Sequence, residues 1–521
     1  MSEELEHDYD DIIDFRKIPN NTQKHWWLDP GIATVEHAPL RRAVWDIVLQ
    51  WLLLNGLQSI DRWQEYFEHP SSNILGLMNS AGFLPGIIAS LFSDRVAFHF
   101  GRRSSVWLGS AITTVGALVM GLATDTGMFC GGRVLLGFGT STALTVAPSL
   151  LQEVAHPRLR AQMSAFYTTV YYIAAVLSAA TCLGCIDLSG EKAWRIPCFV
   201  QLIGPVLTLL ITATMPESPR WLAKKNKRDE ARRILVKYHA NGDDDDALVV
   251  YEMKQIEQAL EFENQNKQIQ YSDLVKSKAN IHRLAISLVV AVGTNWVGNG
   301  IVSYYLSPIL SSLGVGDPRT QLKILIGLQT WNLLVATTAS LLVERAGRRP
   351  LWLSSTAGML ISFSIIMGLT AGYTETKSLN LGLAAIPFLF LFYGSYSIAW
   401  TPLAYSYPVE IFPYSLRTKA QAIYIMAQTG AVSVNTWVNP VALDALAWEI
   451  VSPQLHYAVY IAIQLVLLIL IWFFFPETKG RTIEEISALF DEDASPLHHP
   501  QHTPTDNEAA SVFEDPSATK D

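Results

Sequence analysis

The runs of sequence that carry no charge decide what this chain can fold into. LSSTAGMLISFSIIMGLTAGY, from Leu353 to Tyr373, contains no Asp, Glu, Lys or Arg, and neither does YAVYIAIQLVLLILIWFFF, from Tyr457 to Phe475. Their apolar residues do not alternate, as on a half-buried strand, nor fall on one stripe with a period of about 3.6, as on a soluble helix. A bilayer interior about 30 Å thick takes about 20 helical residues to cross. These runs reach that length, so the chain reads as an all-α polytopic membrane protein. Hydrophobic residues fill 50% of its 521 positions, more than a soluble core of this size needs.

Twelve such segments can be placed, near 43–60, 73–93, 104–123, 127–151, 163–186, 195–215, 283–312, 321–343, 350–372, 381–408, 418–443 and 454–475. The first is the weakest, since Ala43 to Leu57 makes only about 22 Å of helix. Asp46 within it costs up to about 3 kcal/mol if it sits deep. Either this segment lies near the interface, or the chain as written has lost the start of the helix. The expected organisation is an acidic N-terminal tail (1–42), a six-helix bundle (43–215), a polar linker (216–282), a second six-helix bundle (283–475) and a C-terminal tail (476–521). In the linker, Leu222, Ala231, Ile234 and Leu235 are spaced as on short amphipathic helices, interrupted by a turn at NGDDDD.

The two halves repeat each other. DRVAFHFGRR at 94–103 answers ERAGRR at 344–349, QEVAHPRLR at 152–160 answers VEIFPYSLR at 409–417, and PESPR at 216–220 answers PETKG at 476–480, all at offsets of about 250 to 260 residues. Duplicated bundles with a polar site between them near the midplane are a common transporter plan, one bundle rocking against the other. Lysine and arginine concentrate in the even-numbered short loops, at Arg95, Arg102, Arg103, Arg158, Arg160, Arg345, Arg348, Arg349, Arg417 and Lys419. The positive-inside rule then places those loops and both tails in the cytosol. That topology keeps the NNT sequon at Asn20 away from glycosylating enzymes.

Other function classes find little support. Much of the acid behind the net charge of −9 sits in the tails, and no basic tract is large enough for nucleic acid. The spacing of CLGC (Cys182, Cys185) suits a metal or redox site, but it lies in an apolar run without histidines and reads as packed thiols. GFG at 137–139 reads as helix-packing glycine rather than a nucleotide loop. No catalytic set, metal site or cofactor is expected, and the lipid bilayer is the surrounding partner.

The motifs GRVLLGFG…PSLLQE (132–153), WRIP (194–197), PESPRWL (216–222), VERAGRRP (343–350), PVEIFPYSLR (408–417) and PETKGRT (476–482) resemble the sugar porter family of the major facilitator superfamily, from about Arg42 to Glu485. Within it, NGLQS and GNGIVSYYL are most similar to fungal lactose-permease-like and hexose transporters. The resemblance implies a major facilitator fold, with twelve transmembrane helices in two pseudo-symmetric six-helix bundles. It implies a plasma-membrane carrier of a hexose or a disaccharide such as lactose, working by alternating access. It also implies a charged gate at the cytosolic helix ends, where Glu153, Glu217, Glu410 and Glu477 meet Arg103, Arg160, Arg349 and Arg417 across the seam between bundles, with Glu344 in the same set.

Family binding positions carry over unevenly. The glutamine of segment eleven falls on Gln428, and the tryptophan of segment ten falls on Tyr405. The paired glutamines of segment seven fall on Thr294 and Asn295, its later asparagine on Gly300 beside Asn299, and its paired aromatics on Tyr304 and Tyr305. The glutamine of segment five falls on Thr168. Amides and aromatic faces suit a hydroxylated ligand, because buried amides left unpaired would cost about 1–3 kcal/mol. The shorter side chains at Thr168, Thr294 and Asn295 leave a larger or differently shaped pocket, so a disaccharide or an unusual polyol stands beside glucose.

Proton-coupled members of the family pair an acid in the first helix with the arginine that opens RxxxGxG, here Arg133. That acid falls on Gln50, and an amide carries no proton, which implies an uncoupled facilitator. Asp46 lies four residues earlier on the same face, about 6 Å along the axis. It would reach Arg133 if the helix slid by a turn; otherwise it is a solvated acid at a helix end. SDRVAFHFGRR also inserts three residues before its glycine relative to the family. Two other readings compete: a transporter-like sugar sensor, against which the short C-terminal tail stands, and a non-transporting relic, which the short first helix and altered polar positions favour.

Overall fold

The computed structural model describes residues 57, 60–156, 169, 171–240, 242–265, 270–300, 310, 315–376, 378–413, 416–447, 453–479, 486, 489 and 490. Among these residues there is no strand. The first half contributes α1 (Asp61–Tyr66), α2 (Ser72–Ser80), α3 (Gly86–Phe100), α4 (Arg102–Gly121), α5 (Thr126–Val154), α6 (Tyr171–Cys185), α7 (Lys192–Val200) and α8 (Ile203–Thr214). The central stretch holds α9 (Pro219–Lys224), α10 (Arg228–His239), α11 (Ala247–Gln265) and a 3-10 turn at Tyr271–Val275. The second half contributes α12 (Lys278–Trp296), α13 (Pro318–Ala346), α14 (Arg348–Thr376), α15 (Leu379–Ala399), α16 (Leu403–Ile411), α17 (Arg417–Ala447) and α18 (Pro453–Phe474).

Seven of the described helical stretches are long and apolar enough to cross a bilayer, and Tyr171–Cys185 is a shorter apolar helix. Their outward faces stay apolar, with Leu210 62% and Phe473 74% exposed. The first expected segment, the start of the fifth and the end of the seventh fall largely outside the described residues. Four expected segments are interrupted, the second over 81–85, the sixth over 201–202, the seventh over 297–298 and the tenth over 400–402; Pro85 and Pro402 supply no backbone N–H at two of these breaks. The three additional residues before Gly101 lengthen α3 to Phe100.

Helix starts follow from capping chemistry. Asp125 accepts from the Met128 backbone N–H at 2.8 Å, and Asp317 caps α13 through Arg319 and Thr320. Within the first half, α4 packs on α5 through glycines: a Cβ on Gly116 would sit 2.4 Å from the Leu136 nitrogen, and one on Gly139 2.5 Å from the Gly109 oxygen. GFG is therefore a packing surface, as its sequence suggests. Cys182 and Cys185 are free thiols buried on α6, and the described residues hold no metal-ligand cluster.

The halves meet where α17 packs on α2 and α3 and where α13 packs on α6. Gly76 lies against the Trp437 carbonyl and Pro440, and Trp437 Nε1 donates to Asn73 Oδ1 at 3.0 Å. Nearer the arginine-rich end, Thr169 and Ser340 share a hydrogen bond of 3.0 Å. The linker helices pack together through Leu222 and Ala231, with Ile234 partly buried against them, and Leu235 is buried in a second cluster with Val249. His239 fastens them to the first half, its Nδ1 2.5 Å from Glu252 and its Nε2 3.1 Å from the Val154 carbonyl.

Candidate functional site

A cavity of about 200 Å³ lies between the halves. The first half lines it with small residues, Gly82, Gly137, Thr140 and Ser141, and with Tyr171 and Tyr172. The second half lines it with amides and large aromatics, among them Asn295, Asn299, Gln329, Gln428, Asn435, Tyr396, Trp400 and Tyr405. Tyr172 bridges the halves, its hydroxyl 3.0 Å from Ser397 and 2.9 Å from Thr401.

Five of the expected binding residues, Thr294, Asn295, Asn299, Tyr405 and Gln428, line this cavity. Their hydrogen bonds give them different chemical faces. Tyr405 donates to Gln428 Oε1 at 2.9 Å, which leaves the Gln428 amide nitrogen as a donor for a ligand. Asn295 Nδ2 donates to the carbonyls of Ala291 (3.1 Å) and Gln428 (3.4 Å), which leaves Asn295 Oδ1 as an acceptor. Thr294 instead turns its hydroxyl back to the Val290 carbonyl, and its own carbonyl accepts from Tyr396 at 3.1 Å. Adjacent amides offering one donor and one acceptor match a hydroxyl group, which does both. Tyr304, Tyr305 and Thr168 lie outside the described residues.

Sequence reasoning passed over Gln329, Asn332 and Asn435. Gln329 Oε1 and both polar atoms of Asn332 are buried without a hydrogen-bond partner, as is Asn299 Oδ1. Such atoms cost about 1–3 kcal/mol each when nothing satisfies them; Gln329 and Asn299 line the cavity, where a polar ligand could satisfy them, while Asn332 is buried outside its wall. A weak signal was present: Gln329 and Asn332 are amides three residues apart, on one face of an otherwise apolar helix.

Of the coupling residues, Asp46 and Gln50 lie outside the described residues. Arg133 donates to Asn79 Oδ1 at 3.3 Å and lies 5.4 Å from the centre of the Phe129 ring.

The charged motifs form two matching clusters, and here the structure departs from expectation. Among the described residues Glu153 and Glu410 each pair inside their own half, and the partnering guanidinium belongs to the first arginine of each pair. Arg102 Nε lies 2.8 Å from Glu153 Oε2, and Arg348 Nε lies 3.3 Å from Glu410 Oε2. Ser218 donates to Glu153 as Thr478 donates to Glu410. Glu217 takes the backbone N–H groups of Arg102 (3.0 Å) and Arg103 (3.2 Å), and Glu477 takes those of Arg348 (2.9 Å) and Arg349 (3.0 Å). The cause is that each arginine pair opens a helix, whose first N–H groups have no intrahelical partner and attract a carboxylate. Arg103 and Arg349 then reach the Met215 and Trp472 carbonyls. Gly101 and Gly347 precede the pairs at φ 101° and 90°, and a Cβ on Gly101 would fall 2.2 Å from the Glu217 carboxylate. Arg417 donates to the Phe412 carbonyl at 3.4 Å, Arg160 lies outside the described residues, and Glu344 falls on α13.

Known proteins share this plan. The profile of the family described as Sugar (and other) transporter matches residues 44–490. The MFS-type transporter oryC of Aspergillus oryzae is 26% identical over 80% of this chain and 77% of its own length. The high-affinity glucose transporter of Kluyveromyces lactis is 25% identical over 84% of this chain and 81% of its own. The Escherichia coli proton:xylose symporter XylE, bound to 6-bromo-6-deoxy-D-glucose, superposes with a TM-score of 0.74 at 21% identity, over 88% of this chain and 99% of that one. A match over most of the chain, with the same helical fold, places this multi-pass membrane protein in the sugar (and other) transporter family of the major facilitator superfamily.

Proposed function

We propose that the protein carries a sugar across the membrane by alternating access, with the cavity between the halves as the substrate site. The observation that carries this is the paired donor and acceptor at Gln428 and Asn295, facing a first-half wall of glycines and hydroxyls. In this reading residues 43–215 and 283–475 are the two moving bundles, and 216–282 is the linker between them. The tails and the arginine-rich end face the cytosol, and the plasma membrane is the site of action. Thr168, Tyr304 and Tyr305 complete the binding set. The Arg102–Glu153 and Arg348–Glu410 clusters hold helix ends together on the cytosolic side.

Gln50 makes the protein a facilitator, while Asp46 beside Arg133 would make it a proton symporter. Uptake of labelled hexoses, pentoses, lactose and cellobiose, in a yeast strain lacking its own sugar carriers, tests both points. Saturable uptake by surface-delivered protein is the expected result, and absence of uptake for every sugar defeats the reading. Uptake that only equilibrates and ignores a protonophore assigns a passive carrier; concentrative uptake that the protonophore abolishes assigns coupling to an acid.

A further inference from the structure

One end of the cavity contains a polar device that the expected binding set does not use. Asn435 lines the cavity yet is only 4% exposed, and its amide is fixed in a closed ring of three hydrogen bonds. Asn435 Nδ2 donates to Tyr460 Oη at 3.3 Å, Tyr460 Oη donates to Asn439 Oδ1 at 2.7 Å, and Asn439 Nδ2 donates to Asn435 Oδ1 at 2.9 Å. Asn439 and Tyr460 are themselves buried and are not part of the cavity wall. The ring uses one of the two N–H groups of Asn435 and one of its two acceptor positions. One donor and one acceptor remain, on an amide that cannot rotate without breaking the ring.

The neighbouring backbone of the same half makes room for it. A Cβ on Gly300 would stand 2.1 Å from Asn435 Oδ1, so any side chain at position 300 would displace this amide. Asn435 lies seven residues beyond Gln428 on α17, two turns and about 10 Å along the same face. With one hydrogen bond of about 2.8 Å at each end, roughly 5 Å remains between the two amides. That is the breadth of one pyranose ring and too little for two.

We infer that Asn435, clamped by Asn439 and Tyr460 and given space by Gly300, is a second substrate-binding amide that grips the far hydroxyl of a single-ring sugar whose near side is held by Gln428. The inference rests on the sugar-transport reading above and narrows it to monosaccharides. Tyr460 and Asn439 are positioning residues, since they act through Asn435.

The test is uptake of D-glucose and each of its monodeoxy analogues by wild type, Asn435→Ala and Tyr460→Phe, with surface delivery measured for each. Wild type is expected to transport one analogue at least tenfold less efficiently than glucose because the hydroxyl facing Asn435 is absent. Asn435→Ala should lose about tenfold in uptake of glucose, through KM, and no longer distinguish that one analogue, while its discrimination among the others persists. Tyr460→Phe should show the same pattern more weakly, which keeps the test open if the alanine variant does not reach the surface. Equal losses for all analogues would make Asn435 purely structural and overturn the inference, as would unchanged kinetics. A wild type that transports no sugar at all overturns the reading beneath it instead.

Discussion

The two halves are nearly the same object at their charged end and different objects at the cavity. At the charged end each half has a glycine of positive φ, two arginines opening a helix, one acid on the guanidinium and one acid on the backbone N–H groups. At the cavity the first half offers Gly82, Gly137, Thr140 and Ser141 beside Tyr171 and Tyr172, whereas the second offers the amides Asn295, Gln329, Gln428 and Asn435 beside Tyr396, Tyr405 and Trp400. The duplicated unit has kept its means of joining helix ends and divided its other task. Among the described residues, the amides that line the cavity all stand on the second half.

That division can be broken by substitution. The largest effect is expected at Gly137, whose Cβ would lie 2.1 Å from the Gly82 carbonyl, a backbone atom with nowhere to go. Gly137→Ala should cost about 3 kcal/mol or more by overpacking and sharply reduce folded protein at the surface. Gly358→Ala, which meets only the Ser395 side chain, should cost far less. Equal losses in detergent-solubilised thermal melts would remove the claim that the first-half helices are the more closely packed at their glycines.

Next in size is the cavity itself. Gln428→Ala strips Tyr405 of its acceptor and the ligand of its donor, a loss of about 1–3 kcal/mol, and should lower uptake efficiency by ten- to a hundredfold. Ser141→Ala, on the first-half wall, should change uptake by about two- to tenfold, since one modest hydrogen bond is worth about 0.5–1.5 kcal/mol. A serine variant as damaged as the glutamine variant would end the division of labour.

The charged ends should instead behave alike. Glu217→Gln and Glu477→Gln each weaken a helix cap worth about 1 kcal/mol, and their melting temperatures should fall together by a few degrees. The smallest effect is with pH. Burial pushes the Glu477 carboxyl up, but the backbone N–H groups of Arg348, Lys479 and Arg349 outweigh it and hold the group below its usual value. Stabilisation from this contact is present above the carboxyl's unfolded value and disappears as pH falls through its lowered folded value. Thermal melts should therefore drop between about pH 5 and pH 3, and Glu477→Gln should flatten part of that drop.

How much of this was legible in the sequence depended on the type of residue. Uncharged runs revealed the membrane fold, because solvation by lipid is a property of composition and length. Gln428 and Tyr405 were found because PVEIFPYSLR fixes their distance along two helices. Asn435 and Gln329 were not found. A lone amide on an apolar helix looks the same whether it faces a cavity or a neighbouring helix, and only tertiary packing decides. The gate was misread for a related reason: Arg102 and Arg103 are adjacent in sequence, and which one meets an acid is set by where α4 begins. Gly101 settles that, and the two-residue pattern contains no hint of it.

The contact of Gly76 with the Trp437 carbonyl and Pro440 has a consequence for how the protein divides its time between conformations. There a Cβ on Gly76 would stand 2.9 Å from the Trp437 carbonyl oxygen, so the halves approach backbone to backbone at the end away from the arginines. At the arginine-rich end they are joined through side-chain hydroxyls, Thr169 and Ser340, which can turn away without moving a helix. A seam of that kind is a ratchet with unequal teeth. Separating the halves beside Gly76 has to move helix backbones, whereas separating them beside Ser340 can begin with a side-chain rotation.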